Sequence, residues 1–291
     1  MSPSERPGQQ SEVPGPVTDA RQRALIDQAV VAVNDDDRIL AAWLGGSYAS
    51  GEADAYSDVD LHCLVVDDSA GWFTDHWSET AAAIAGPLVL ASNLPGVIGG
   101  YALTSDWVHL DLIIHPASML ERTDVEGVKP LYDPTRVVPV QAERSDATRQ
   151  GDPYFPAAAV DLFFYFLGNL VVTLGRGELI VAHGGIVAVR AGLIDLMLAE
   201  RGIRRTGGGK RLNPYLDADQ RAFLESIPGA DVTRDQIAHA VQFIACEFIR
   251  RGRALAARTG SIWPMGLEDA TITHLQRHLG IDFRAGPVAE S

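Results

Sequence analysis

Hydrophobic and polar positions follow two different periods along the first 115 residues. Residues 18–34 repeat apolar side chains at helical spacing, and residues 72–85 do so again, which predicts two helices. Short apolar runs bounded by glycine, proline or polar residues lie between and after them and predict strands. These runs are RILAAWL (38–44), DVDLHCLVV (58–66), PLVLAS (87–92), IGGYALT (98–104) and WVHLDLIIH (107–115), and the last two are expected to form a hairpin.

From Pro156 onward the pattern is helical almost throughout. The run AAAVDLFFYFLGNLVVTL (157–174) follows Pro156, which suits the first position of a helix. A second long apolar helix is predicted over IVAVRAGLIDLMLAERG (186–202). Thr233 and Gln236 have the spacing of a capping box ahead of a third helix, and a short helix is expected after Pro264.

Together these patterns predict an α+β fold, with a mixed sheet covered by helices on one face and then an all-helical C-terminal domain. The polar stretch QAERSDATRQGDP (141–153) suggests a boundary near residue 150. We therefore expect a disordered tail over residues 1–17, a mixed-sheet domain over 18–150 and a helical domain over 151–291.

Composition limits the possible functions. The 291 residues are 46% hydrophobic and begin with a polar, proline-rich stretch rather than a signal-like segment, so we expect a soluble, cytoplasmic protein. Cys63 and Cys246 are too few and too far apart for a disulfide framework or a zinc site. The net charge of -14 disfavours binding to nucleic acid and would suit a cationic substrate, although an acidic surface can also serve solubility alone.

The stretch LGGSYASGEADAYSDVDLHCLVV (44–66) carries the candidate chemistry. Asp58 and Asp60 are separated by one residue on a predicted strand, so their carboxylates share a face. The two carboxylates repel each other unless a cation lies between them. Gly46 and Ser47 lie in a turn where small residues let phosphate oxygens approach backbone N–H groups. A hard cation such as Mg²⁺ would bridge those phosphates to the carboxylates.

Other motifs fit this sequence less well. No G-x-G-x-x-G fingerprint is present at Gly46, and the GGGKR run lacks the serine or threonine that a Walker loop requires after its lysine. The serine-hydrolase elbow G-x-S-x-G fits Gly45 to Tyr48, but Ala49 stands at the last glycine. A hydrolase would also leave the paired aspartates without a role.

Gly46-Ser47, the eleven positions from Ser47 to Asp58 (58 minus 47) and the Asp-Val-Asp that opens an apolar strand resemble the polymerase-beta-type nucleotidyltransferase superfamily. This resemblance covers roughly residues 20–115. The length, the helical second half and the segment FLGNLVVTLGRGELIVAH (166–183) resemble the nucleotidyltransferases that modify aminoglycoside and lincosamide antibiotics. Residues 18–150 would then be the catalytic domain, and residues 151–291 the substrate-binding domain.

The resemblance implies a third carboxylate on a neighbouring strand, for which Asp111 is the candidate. Asp111 would share a strand face with His109, and an aspartate in so apolar a strand needs a partner unless it faces solvent at a sheet edge. Asp106 and Asp133 are weaker candidates because both lie in turn-like sequence.

Several further residues have two interpretations. His62, His109 and His115 could contact nucleotide, but we expect ordinary sheet histidines because Mg²⁺ prefers oxygen ligands. Lys210 and Arg211 could bind the triphosphate or belong to a solvated loop. Arg176 and Glu178 could reach the active site, and Arg176 could instead cap a helix. The roles of Glu178 and His183 are open.

The resulting hypothesis is transfer of a nucleoside monophosphate from a nucleoside triphosphate, ATP being expected, to a hydroxyl of a small, cationic acceptor, with release of pyrophosphate. Asp58, Asp60 and Asp111 would bind two Mg²⁺ ions, and Asp111 could also accept the hydroxyl proton. Two alternatives are a regulator or toxin that nucleotidylates a protein or transfer RNA, and a non-catalytic nucleotide-binding module. No nucleic-acid or membrane partner is expected.

Overall fold

A computed structural model describes residues 20–122, 128–138, 151–204 and 210–280. The chain divides into two compact units, residues 1–145 and 146–291. The predicted boundary near residue 150 and the predicted tail over residues 1–17 both lie outside the described residues.

A six-stranded mixed sheet forms the centre of the first unit. Its strands are β1 (Ile39–Leu44), β2 (Val59–Val65), β3 (Leu88–Asn93), β4 (Ile98–Thr104), β5 (His109–Pro116) and β6 (Lys129–Tyr132). They are arranged in the order β3-β4-β5-β2-β1-β6. The β2 and β5 strands pair in parallel, while the other neighbours are antiparallel.

Two helices cover one face of this sheet, and alternation along the strands explains which side chains they bury. The helices α1 (Ala20–Asn34) and α3 (Ala70–Ala85) flank the five-residue α2 (Gly46–Ser50) in the chain. Val59, Leu61 and Cys63 of β2 are fully buried in the core that α1 and α3 share with the sheet, as predicted. The side chains of Asp58, Asp60 and His62 therefore belong to the opposite face.

The predicted elements of the first unit agree with the structure except at β6. The sequence did not suggest a strand at KPLY because the segment has only four residues and contains Pro130, which lacks an N–H for pairing. This strand pairs with β1 at the edge of the sheet, the position where proline is tolerated.

The second unit is built from five α-helices within the described residues, and its core is a single apolar cluster. Phe163, Phe164 and Phe248 are at the centre, where Phe163 stacks on Phe248 with ring centroids 3.5 Å apart. The helices are α4 (Ala157–Gly175), α5 (Leu179–Glu200), α6 (Ala218–Glu225), α7 (Arg234–Thr259) and α8 (Met265–Leu279). The predicted α+β class with a helical second half is confirmed.

Helix capping in the second unit differs from the prediction. Thr233 is the residue before α7, but its side chain makes no capping hydrogen bond. Gln236 instead bonds Asp231, accepting from its backbone N at 2.6 Å and donating to Oδ2 at 3.1 Å. The capping box is at the start of α6, where Asp217 and Gln220 bond each other's backbone N–H groups.

By length and composition, α4 and α5 are also apolar enough to cross a membrane. This is weak support for a membrane span, because the core helices of globular domains meet the same criterion. Both helices contribute side chains to the core of the second unit.

Candidate active site

The Gly45–Ser47 turn consists of Gly45, which follows β1, and the first two residues of α2, and it packs directly against β2. The backbone N of Gly45 donates to the carbonyl oxygen of Asp60 at 2.8 Å. Gly46 has a φ of 51°, and a β-carbon at this position would collide with Oδ2 of Asp60. Glycine is therefore required here for two reasons, the left-handed backbone and the close approach of a carboxylate.

Ser47 follows Gly46 in the same turn. Its Oγ is buried and has no hydrogen-bond partner among the described residues. A buried hydroxyl without a partner is uncommon, and it is available to bond an oxygen of a ligand that enters the turn. The structure thus places the two residues predicted to hold phosphate beside Asp60.

The parallel pairing of β2 and β5 brings the predicted carboxylates together. Asp60 is in register with Asp111, and Val59 is in register with Leu110. Because side chains alternate along a strand, Asp60 and Asp111 project from the same face of the sheet, opposite the helices. The residues one step earlier, Asp58 and His109, are neighbours at the starts of the two strands.

His109 completes a group that could hold a metal ion. One ligand atom from each of Asp58, His109 and Asp111 lies within 4.8 Å of the others. The Nε2 atom of His109 is 2.8 Å from Oδ1 of Asp111, and its Nδ1 atom is 3.9 Å from Oδ2 of Asp58. The sequence placed His109 on the face of Asp111, but we expected only a structural histidine there.

Behind these carboxylates, His62 and His115 form a stack with Trp43. The Nδ1 atom of His62 is 2.9 Å from Nε2 of His115, and the two imidazoles lie nearly parallel with centroids 5.2 Å apart. Trp43 stacks on His62 with centroids 5.5 Å apart. Burial, together with the neighbouring His115, lowers the pKa of His62 from 6.5 to about 4, although the Asp111 carboxylate acts in the opposite direction. Burial also lowers the pKa of His115.

The His62 pKa predicts that stability depends on pH. Folded His62 stays neutral down to a pH of about 4, whereas the unfolded chain binds a proton near 6.5. The contribution of neutral His62 to the free energy of unfolding is therefore fully present above pH 6.5 and is lost as the pH falls toward 4. We expect the melting temperature to fall less steeply in His62→Phe than in wild type over this range. If the melting temperatures of the two proteins fell in parallel with pH, the lowered pKa of His62 would be contradicted.

The weaker acidic candidates have structural partners in turns. The Asp133 carboxylate accepts from the backbone N–H groups of Val137 and Val138 at 2.8 and 3.1 Å. Thr104 Oγ1 donates to the Asp106 carboxylate at 2.6 Å. These contacts account for both aspartates without a catalytic role.

The remaining candidates belong to the second unit. Arg176 is the C-cap of α4, and Glu178 is the residue before α5, while Nε2 of His183 lies 3.0 Å from the carbonyl oxygen of Ala230. Lys210 is exposed, and Arg211 is half-buried. A role for Lys210 and Arg211 in triphosphate binding stays a prediction.

Comparison with known proteins finds a nucleotidyltransferase domain in the first unit. Residues 26–82 match the family model of the nucleotidyltransferase domain, a range that contains Gly46, Ser47, Asp58 and Asp60 and ends before Asp111. The crystal structure of an aminoglycoside 6-adenyltransferase from Bacillus subtilis is similar to 88% of this chain and 97% of that chain, with 16% sequence identity and a TM-score of 0.36. No curated protein matches the sequence significantly.

The structural similarity is too distant to support an argument about substrate, so the assignment rests on the domain match and the site itself. The matched range contains the Gly-Ser turn and the Asp-Val-Asp strand from which the resemblance was drawn. Residues 26–82 therefore carry a nucleotidyltransferase domain, which supports a nucleotidyltransferase enzyme.

Proposed function

We propose that the protein transfers a nucleoside monophosphate from a nucleoside triphosphate, ATP being the expected donor, to a hydroxyl of a small cationic molecule such as an aminoglycoside or lincosamide. Pyrophosphate is the second product. The observation that carries the proposal is the Asp58–His109–Asp111 group next to Asp60 and the Gly45–Ser47 turn.

The residues present suit divalent metal ions. Asp58, Asp60 and Asp111 offer carboxylate oxygens from one sheet face, and Oδ1 of Asp111 lies 2.8 Å from Nε2 of His109. Hard cations such as Mg²⁺ prefer oxygen ligands, so these three carboxylates would hold the ions and His109 would orient Asp111. When bound, such ions neutralise charge on the phosphates and activate the attacking oxygen.

The protein's own groups have distinct tasks in this scheme. Gly46 lets the Asp60 carboxylate lie against the turn that would hold the triphosphate, and the Ser47 hydroxyl donates to a phosphate oxygen. The Asp111 carboxylate accepts the proton of the acceptor hydroxyl as the new phosphorus–oxygen bond forms and the bond to pyrophosphate breaks. The acceptor oxygen must approach from the side opposite the leaving pyrophosphate.

The net charge supports a small cationic acceptor. The chain has 38 acidic and 24 basic side chains, which give a net charge of -14. An acidic protein attracts cations and repels the phosphate backbone of nucleic acid, and salt weakens both effects. Modification of a protein or transfer RNA is the second candidate function. This function requires a macromolecular partner that binds an acidic protein.

The experiment is a pyrophosphate-release assay with ATP, GTP, CTP or UTP and a panel of aminoglycosides and lincosamides. We expect release that requires both an acceptor and Mg²⁺ and that stops when EDTA is added. Release that continues in EDTA would contradict a metal-dependent transferase. Release that requires a protein or transfer RNA instead of an antibiotic would favour the regulatory function.

Ser47→Ala separates nucleotidyl transfer from serine hydrolysis. In a transferase the hydroxyl contributes one hydrogen bond, worth roughly 0.5 to 1.5 kcal/mol, or up to about 3 kcal/mol when the acceptor is charged. We therefore expect a raised KM for ATP and measurable residual turnover. Ser47→Thr, which retains the hydroxyl, is the matched control. Total loss of activity in Ser47→Ala together with indifference to EDTA would instead indicate a nucleophilic serine.

A further inference from the structure

Two exposed aromatic side chains remain unexplained by the proposed chemistry. Tyr56 is 89% exposed and Trp107 is 79% exposed, the largest exposures of any aromatic side chains in the described part of the first unit. Large aromatic rings are usually at least half-buried, because they lose favourable contacts in water. A pair of them at one location therefore indicates a binding surface.

The strand register places both residues at the end of the sheet that holds the carboxylates. Tyr56 precedes Asp58 by two residues, and Trp107 precedes His109 by two residues. Since β2 and β5 pair in parallel, with Val59 opposite Leu110, both aromatic residues lie beyond the same ends of these strands. They therefore lie at the same end of the sheet as the Asp58–His109–Asp111 group.

The backbone at Trp107 strengthens this inference. Its φ is 63°, a left-handed conformation that bulky residues rarely adopt. The turn is fixed by Thr104, whose carbonyl oxygen accepts from the N–H of Trp107 at 3.0 Å and whose Oγ1 accepts from the N–H of Val108 at 3.0 Å. Glycine or asparagine would adopt this backbone conformation without strain. The exposed indole of Trp107 makes few packing contacts that could offset the strain. Strain of this kind is concentrated at functional sites.

The strand order indicates which ligand these rings would contact. The sheet runs β4-β5-β2-β1, so the Gly45–Ser47 turn after β1 and the β4–β5 turn that carries Trp107 lie on opposite sides of β2. If the triphosphate occupies the Gly45–Ser47 turn, the attacking hydroxyl must arrive from the β5 side, where Asp111 lies. Trp107 is therefore on the acceptor side of the carboxylates.

We propose that Trp107 and Tyr56 form an aromatic rim that binds the acceptor, a saccharide or aminocyclitol ring bearing ammonium groups. The indole face would pack against the C–H face of the ring, and a neighbouring ammonium would be attracted by the π-system and by the Asp58 and Asp111 carboxylates. This inference rests on the proposed function and specifies the chemistry of its acceptor.

The test compares wild type with Trp107→Asn and Trp107→Phe, using kanamycin as the probe and calorimetry on nucleotide-free protein in Mg²⁺ buffer. Asparagine tolerates a positive φ, so the melting temperature of Trp107→Asn is expected to equal or exceed that of wild type. Its Kd for kanamycin is expected to rise at least tenfold, with a smaller rise in Trp107→Phe. In the transfer assay the acceptor KM should rise while the KM for ATP stays unchanged. Val89→Ala, which alters an exposed apolar residue on β3, is the control.

Unchanged kanamycin affinity in Trp107→Asn would overturn the aromatic rim. The proposed function would still stand if wild type transfers nucleotide to small acceptors. A clear fall in melting temperature with unchanged affinity would show that Trp107 is structural. Wild-type protein that does not bind kanamycin would also overturn the rim. Weaker kanamycin binding by the variant, with no transfer by wild type, would support the rim and contradict the proposed function.

Discussion

Asp58→Asn is expected to lower the rate of nucleotidyl transfer by about a thousandfold or more and to leave the fold intact. Asp58 offers a carboxylate oxygen within 4.8 Å of ligand atoms from His109 and Asp111. An amide binds Mg²⁺ far more weakly than a carboxylate does. A loss of about 4 kcal/mol of transition-state stabilisation corresponds to three powers of ten in rate.

The folded protein should tolerate this change well. Asp58, Asp60 and Asp111 are like charges on one face, so removal of one charge relieves repulsion, and the melting temperature should be equal or higher. Asp75→Asn is the matched control, because it removes a carboxylate from an exposed position on α3. Single-turnover rates and thermal melts on the three proteins test the expectation. Near-normal turnover in Asp58→Asn would show that the metal assignment is wrong, and loss of folding would make Asp58 structural.

Gly46→Ala is expected to reduce transfer by about a hundredfold or more, which is the second large effect. An added β-carbon would collide with Oδ2 of Asp60, so either this carboxylate or the turn must move. A displacement of about 1 Å at a reacting centre can cost roughly a hundredfold in rate. Both the KM for ATP and kcat should be affected, because the turn and Asp60 serve different parts of the reaction.

Gly51→Ala provides a matched control for the backbone effect. Gly51 also has a left-handed backbone, with φ of 75°, but a β-carbon there meets no atom within 4 Å. This variant should lose about 1 to 2 kcal/mol of stability through strain and keep its activity. Equal loss of activity in the two variants would show that the effect at Gly46 is general strain, unrelated to Asp60.

Local pattern in the sequence was sufficient to predict much of the site. Alternation along DVDLHCLVV correctly separates Asp58 and Asp60 from the buried Val59, Leu61 and Cys63. The same rule places Leu110, Leu112 and Ile114 in the core and leaves Asp111 on the opposite face. These predictions need only the two-residue alternation of side chains along a strand, which is visible in the order of the residues.

The sequence could not predict contacts that depend on strand register. His109 joins Asp58 only because β2 pairs in parallel with β5, a strand 50 residues later in the chain. Our interpretation of His109 as a structural histidine followed from residue type alone. The left-handed backbone of Trp107 was equally inaccessible, because backbone preferences at positive φ favour glycine and asparagine over tryptophan.

Competition between side chains explains the failure at Thr233. The spacing of Thr233 and Gln236 satisfies the capping-box rule, but Gln236 finds two partners on Asp231. A local motif predicts a contact only where no nearby group offers a better one.

The proposed function is the attachment of a nucleoside monophosphate to a small hydroxylated acceptor at the Asp58–Asp60–Asp111 site. Mass spectrometry of each antibiotic after incubation with protein, Mg²⁺ and each nucleoside triphosphate tests it most directly. We expect one acceptor whose mass increases by a single nucleoside monophosphate residue, and no increase with Asp58→Asn. A panel that stays unmodified while a protein or transfer RNA becomes nucleotidylated would contradict the claim.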